Sequence, residues 1–288
     1  MLIGHKKIFE DLKEQVNAER LHHAQLFIGP KFVGKTKLAL ELAVKMQSGA
    51  VDGRQILDGT CADTLIFLDE GEVLPIKTVR EIIERTGQTH TRPYLIVIIE
   101  NIGRMKAESL NALLKTLEEP PPGCVFFLTA NKDEGILPTI RSRCHVTYFH
   151  TVSDKILRGA CEGNVFEEQL VMFAMGRPGK LRRLINDSEY FKEHQEMYSE
   201  VNQFLEKPDT HRAFVMARRW EKHGLLQEML DILLQRIRTF ALAGQQPLAL
   251  EHLDFSDIMD NIEIVKQDLE RNVNKKLLLE NLLLEFAP

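Results

Sequence analysis

The chain has 288 residues, 44% of them hydrophobic and 27% charged, enough apolar content for substantial cores and, at this length, for two or three domains. A formal net charge of -5 without a large basic face excludes global attraction to nucleic acid, so any DNA contact must come from a local patch or from partner subunits. No apolar run approaches the roughly 20 residues of a membrane span, and Met1-Leu2-Ile3-Gly4 is followed at once by charged residues, which points to the cytoplasm.

Apolar residues at Ile8, Leu12 and Val16 have helical spacing and predict a first helix within 2–20. His22 and His23 follow, with no cysteine nearby in sequence, and are expected to have a structural or exposed role rather than to bind metal. Ala24 to Ile28 is predicted to be a buried strand. Next comes Gly29-Pro30-Lys31-Phe32-Val33-Gly34-Lys35-Thr36, which fits the phosphate-loop pattern G-x-x-x-x-G-K-[ST], and then a helix to Met46 carrying Leu38 and Leu42. Strand, loop and helix are the context this motif requires. Gly29 and Gly34 let backbone N–H groups wrap phosphates, Lys35 supplies a point charge, and the Thr36 hydroxyl is a magnesium ligand.

Further strands are predicted at Thr64–Leu68, Tyr94–Ile99, Val125–Leu128 and Val146–Phe149, with helices from Pro75 to Arg85 and from Lys106 to Glu118 between them. The run Tyr94–Ile99 is continuously apolar, as in a central parallel strand covered on both faces, and ends in Glu100-Asn101. Such alternation predicts a doubly wound α/β domain with its nucleotide at the carboxyl ends of the strands. Beyond Val152 the strand signal disappears. Residues 152–188 read as a small helical domain broken at Gly163-Asn164 and Gly176-Arg177-Pro178-Gly179. Lys207-Pro208-Asp209 and Gly244-Gln245-Gln246-Pro247 punctuate a third, wholly helical region. The four cysteines, Cys61, Cys124, Cys144 and Cys161, lie far apart without a C-x-x-C pair, the pattern of buried free thiols.

The stretch Asn111-Ala112-Leu113-Leu114-Lys115-Thr116-Leu117-Glu118-Glu119-Pro120-Pro121, followed by Leu137-Pro138-Thr139-Ile140-Arg141-Ser142-Arg143-Cys144, resembles the clamp-loader branch of the AAA+ ATPases. Within that branch the ending Leu269-Glu270-Arg271-Asn272-Val273-Asn274, continued by Leu277 to Leu284, looks most like delta-prime subunits of the bacterial DNA polymerase III clamp loader. The resemblance implies an α/β plus all-α chain: a P-loop AAA+ domain with a parallel sheet over 1–151, a helical lid over 152–188 and a helical collar over 189–288 that holds subunits in a ring. It implies gamma/tau motor subunits and a delta subunit as partners. The sliding clamp and primed DNA are reached through the complex, and no membrane is involved. ATP or ADP with magnesium is the implied cofactor, held by Gly29, Gly34, Lys35 and Thr36 with Glu100. Asn131 lies near the family's sensor position for the terminal phosphate, with an ordinary strand-end hydrogen bond as the alternative. Arg143 is the implied trans arginine finger, worth ~10³–10⁵ in rate at a neighbour's site, and a plain surface arginine is the alternative.

Departures from the motor subunits decide the expected function. Motor subunits end the Tyr94–Ile99 strand in Asp-Glu, the first acid for magnesium and the second for the attacking water. Here those positions are Glu100 and Asn101, and an amide cannot take up a proton, a loss of ~10²–10⁴ in rate. Gly179 stands where motors carry a lid arginine. Lys180 or Arg182 is the implied substitute for it, and the alternative for Arg177, Lys180, Arg182 and Arg183 is a solvated helix face. Only Cys61 falls where delta-prime subunits often carry a cysteine-built zinc module, so no zinc is expected, since a structural site needs about four ligands. The implied function is a non-motor subunit of the polymerase III assembly, itself at most a weak ATPase. An autonomous AAA+ ATPase, such as a motor subunit or a DNA-remodelling enzyme, is the alternative, and a small-molecule kinase leaves Arg143 and the helical carboxyl region without a role.

Overall fold

The computed structural model describes residues 2–47, 55–56, 59–69, 74–89, 91–244, 247–269 and 273–287. They fall into two compact units, Met1–Leu184 and Ile185–Pro288. In the first, strands β1 (Ala24–Ile28), β2 (Thr64–Phe67), β3 (Leu95–Ile99), β4 (Cys124–Ala130) and β5 (His145–Tyr148) form one sheet in the order β2-β3-β4-β1-β5. All its neighbours are parallel. Every residue of β1, β3 and β4 is buried, which explains why, Gln25 and Thr129 apart, their sequences are apolar rather than alternating. β4 runs two residues past the apolar stretch, because its pairing with β1 continues to Ile28 opposite Ala130.

Around this sheet lie α1 (Lys6–Asn17), α2 (Lys35–Met46), α3 (Ile76–Thr86), α4 (Ala107–Glu118) and the single turn α5 (Pro138–Arg141). The pleat divides each strand between two cores. Phe27, Ile96, Ile98 and Phe127 pack with Leu12 of α1 and with Leu38 and Leu42 of α2. Leu26, Val97, Phe126 and Leu128 pack on the other face with Val79 and Ile82 of α3 and Leu110, Leu113 and Leu117 of α4. The chain leaves β1 for β2 at one edge and leaves β4 for β5 at the other, so these adjacent strands diverge in their connections. A crevice at their carboxyl ends follows, the position where open α/β sheets bind ligands.

Three helices follow β5: α6 (Asp154–Cys161), α7 (Glu167–Ala174) and α8 (Pro178–Asn186). The break predicted at 176–179 is shorter than expected, because Pro178, with its fixed φ and missing N–H, opens α8 instead of interrupting it. The second unit is helical: α9 (Ser188–Glu206), α10 (Thr210–Glu221), α11 (Leu226–Ala243), α12 (Phe255–Asp268) and α13 (Lys275–Leu284). Four of these start on side-chain caps, where Asp187, Asp209, Asp254 and Asn274 accept from backbone N–H groups in the first turn. Trp220, Phe204 and Phe286 are buried in its core, the last two edge to face at 5.8 Å. Gln245 and Gln246 of the predicted break, and Glu270, Arg271 and Asn272 of the carboxyl-terminal motif, lie outside the described residues.

Cys61, Cys124 and Cys161 are buried free thiols, whereas Cys144 is half-buried. Burial pushes the thiols of Cys124 and Cys144 up to about 12, which makes both poor nucleophiles. Among the described residues no helix is long and apolar enough to cross a membrane, and no group of three or more His, Cys, Asp and Glu residues is placed to hold a metal ion.

Candidate functional site

The loop between β1 and α2 has the backbone its sequence requires. Gly29 passes so close to Phe149 that a Cβ on it would lie 2.1 Å from that residue's carbonyl oxygen. Phe32 and Gly34 have positive φ (68° and 107°), and Gly34 is the N-cap of α2, so the loop feeds the positive end of a helix. Lys35 is buried inside the loop. Its Nζ donates to the carbonyl oxygens of Gly29 (2.5 Å) and Pro30 (2.7 Å) and to Asn131 Oδ1 (3.3 Å). Burial lowers its pKa to about 8, with Glu100 opposing the shift and Lys31 adding to it. Asn131, from the end of β4, thus has a definite partner in the loop.

On the other side Thr36 Oγ1 donates to Glu100 Oε1 at 2.7 Å, so the hydroxyl and the carboxylate are brought together as two hard oxygen donors. Gly29, Gly34, Lys35, Thr36, Glu100 and Asn131, though spread over the sequence, therefore converge at the carboxyl ends of β1, β3 and β4. Next to them is an acid that sequence reading missed. Asp69, just past β2, gives its N–H to Glu100 Oε2 (3.1 Å) and accepts from Asn101 Nδ2 (2.6 Å) and Arg104 Nη1 (2.9 Å). Asn101 itself sits in the left-handed region (φ 54°, ψ 56°) with its N–H on Thr129 Oγ1, a conformation asparagine tolerates better than most residues. Asp69, Glu100, Asn101 and Arg104, with Phe67 and Leu74, line a pocket of about 170 Å³.

The start of α8 touches the loop directly. Gly179 N–H donates to the Phe32 carbonyl oxygen at 2.7 Å. Lys180 is fully buried, so a solvated helix face describes Arg183, which is exposed, and not Lys180. The His5 ring packs on Phe149 at 4.9 Å and bonds the backbone of Val33; burial, its largest influence, holds its pKa below the usual value.

Arg143 is not part of this cluster. It lies past α5, where its guanidinium contacts Glu118, Thr139 and Ser142. His22 and His23 stack on each other at 4.3 Å, and His23 Nε2 bonds the Leu117 carbonyl oxygen. Theirs is a structural arrangement at the end of α4.

Residues 4–153 match the family model described as DNA polymerase III, delta subunit. The chain belongs to this family. It is similar to the DNA polymerase III subunit gamma of Buchnera aphidicola subsp. Schizaphis graminum, 26% identical over 238 residues, covering 75% of this chain and 65% of that protein. It is also similar to subunit tau of Bacillus subtilis, 29% identical over 180 residues, covering 59% and 32%. The matches thus span less than two thirds of these relatives' length. Among solved structures, a gamma subunit-related protein of Thermotoga maritima is similar in fold, with a TM-score of 0.53 at 20% identity over 96% of this chain and 98% of that one. A variant of RuvB from the same organism has a TM-score of 0.50 at 14% identity, over 98% and 82%. The fold is accordingly the mixed α/β AAA+ type, a parallel sheet core with extensive helical regions.

Proposed function

We propose that this chain is a delta-prime-type, non-motor subunit of the bacterial clamp loader. It binds ATP or ADP without efficient turnover and lends Arg143 to the site of a neighbouring gamma/tau motor subunit. The observation that carries this reading is Asn101. It follows Glu100 at the strand end, and its side-chain amide donates to Asp69, so the position offers no base to an attacking water. The rest of the cradle fits a nucleotide with magnesium: the backbone of Gly29–Gly34 and the Lys35 ammonium for phosphates, and Thr36 Oγ1 with Glu100 Oε1 for the metal. Bound magnesium would neutralise phosphate charge there, and what this chain's residues do is bind and orient.

In this reading 1–151 is the nucleotide domain, 152–188 the lid and 189–288 the collar that meets the gamma/tau and delta subunits. The sliding clamp and primed DNA are engaged by the whole complex, in the cytoplasm. The intact cradle and the similarity to gamma and tau subunits favour one other reading, an autonomous motor ATPase. ATP hydrolysis by the purified chain separates the two, because clear turnover requires the motor. The finger role is tested in reconstituted complexes at matched assembly. Arg143→Ala is expected to cut hydrolysis by up to ~10³-fold at the one site it faces, leaving this chain's own nucleotide affinity intact. Equal rates would leave it a structural ring member.

A further inference from the structure

Arg143 is docked on its own chain. Its Nε and Nη2 both donate to Glu118 Oε2 (3.3 and 3.1 Å), and its Nη1 donates to the Thr139 carbonyl oxygen (3.0 Å) and to Ser142 Oγ (3.3 Å). Glu118 is the last residue of α4, at the negative end of a helix dipole, where a carboxylate gains nothing from the helix itself. Its side chain is 59% exposed, so it can swing away without disturbing the core. The Nε/Nη2 edge it occupies is one of the two edges by which a guanidinium grips paired phosphate oxygens. Glu118 therefore uses the donors that a phosphate would need. Beside the pair lies an open pocket of about 410 Å³, lined by His22, His23, Leu117, Glu118, Ser142 and Arg143, which leaves the guanidinium approachable from outside.

We infer that Glu118 is a positioning residue that parks Arg143 and is exchanged for phosphate oxygens of a nucleotide held by the adjacent subunit. The inference rests on the reading of Arg143 as a trans finger. Thr139 and Ser142 keep their hold on Nη1 during the exchange, so the side chain is released on one edge only. An exposed ion pair is weak and screened by salt, which bounds the effect of parking at about fivefold.

The test uses complete reconstituted complexes carrying wild-type, Glu118→Gln or Arg143→Ala chain, with steady-state ATP hydrolysis measured against ATP and salt concentration. Glu118→Gln should raise kcat by up to about fivefold at low salt with KM unchanged, because the released arginine acts on the transition state. The gain should vanish toward about 0.3 M salt, where screening weakens the wild-type pair. Equal or slower hydrolysis by Glu118→Gln, or a gain that ignores salt, would overturn the parking contact even if Arg143→Ala is impaired. Arg143→Ala complexes as fast as wild type would instead remove the finger, and this inference with it.

Discussion

The N–H of Gly179 and the carbonyl oxygen of Phe32 join the start of α8 to the phosphate loop at 2.7 Å. Both partners are backbone, so neither can rotate aside. A Cβ at 179 would lie 2.8 Å from that oxygen and 3.2 Å from the Phe32 Cα, closer than ordinary contact. This seat gives a physical reason for glycine at position 179.

Gly179→Ala should destabilise the first unit by about 1–3 kcal/mol, the usual cost of overpacking a site that cannot give way. Gly179→Arg should cost at least as much and confer no hydrolysis, since the side chain must push α8 off the loop before it can reach a phosphate. Urea unfolding followed by circular dichroism, with an ATPase assay on the same samples, checks both. Stable folding of Gly179→Arg with new turnover would mean that the seat is loose.

Asp69 limits what can replace Asn101. Restoring the acid by Asn101→Glu brings a second carboxylate against Asp69, whose oxygen is 2.6 Å from the present amide nitrogen, and puts glutamate into left-handed backbone. Like-charge repulsion and roughly 1–2 kcal/mol of backbone strain act together. Asn101→Glu is therefore expected to lower stability rather than raise turnover. The paired change Asp69→Asn with Asn101→Glu should recover the electrostatic part and leave the strain. A double-mutant cycle in thermal unfolding measures the coupling, and additive effects would show that the two side chains do not interact.

The elements were legible because their signals are local. Central strands buried on both faces read as continuous apolar runs, and the phosphate loop is set by eight adjacent residues. Contacts between distant positions were not legible. Asp69 is a lone acid after a strand, with no spacing that ties it to Asn101. Gly179 and Phe32 are brought together only by the packing of three helices after β5. Glu118 lies in a legible motif, yet its partner Arg143 is beyond an intervening strand. The order of the strands, which places Asn131 against Lys35, likewise belongs to topology and not to periodicity.

The buried amine of Lys35 makes nucleotide affinity depend on pH. Its pKa is lowered to about 8 by burial, while a bound phosphate favours the charged form and raises it. Binding thus takes up a proton wherever the free amine is neutral. Affinity should be flat below the free pKa and fall above it, by about tenfold between pH 7 and pH 9. Titration with a non-hydrolysable ATP analogue across this range is the measurement. Lys35→Ala should abolish the dependence along with most of the affinity, and a pH-dependent Lys35→Ala chain would assign the titration to another group.

The second unit offers a stability test of its own in His194, which is fully buried on α9. A carbonyl oxygen only accepts, so His194 Nδ1 carries the proton it gives to the Tyr190 carbonyl oxygen at 2.8 Å. Its Nε2 meets Glu228 Oε2 at 2.7 Å, and the Tyr190 hydroxyl donates to the same oxygen at 2.5 Å. Glu228 stands in the first turn of α11, so the network ties α9 to α11 and holds a carboxylate whose side chain is only 15% exposed. His194→Ala removes the ring and one of the partners of that carboxylate. Breaking a buried pair from one side typically costs about 3–5 kcal/mol, and the partial exposure of Glu228 puts the expected loss at or below the lower end. Glu228→Gln keeps an acceptor for the tyrosine and can give an amide N–H to Nε2 of a neutral ring, so it should cost less. The chain has a single tryptophan, Trp220, fully buried in this same unit, so its fluorescence during urea unfolding reports this unit directly. A midpoint for His194→Ala within error of wild type, at an unchanged slope, would show that the network contributes nothing to holding α9 on α11.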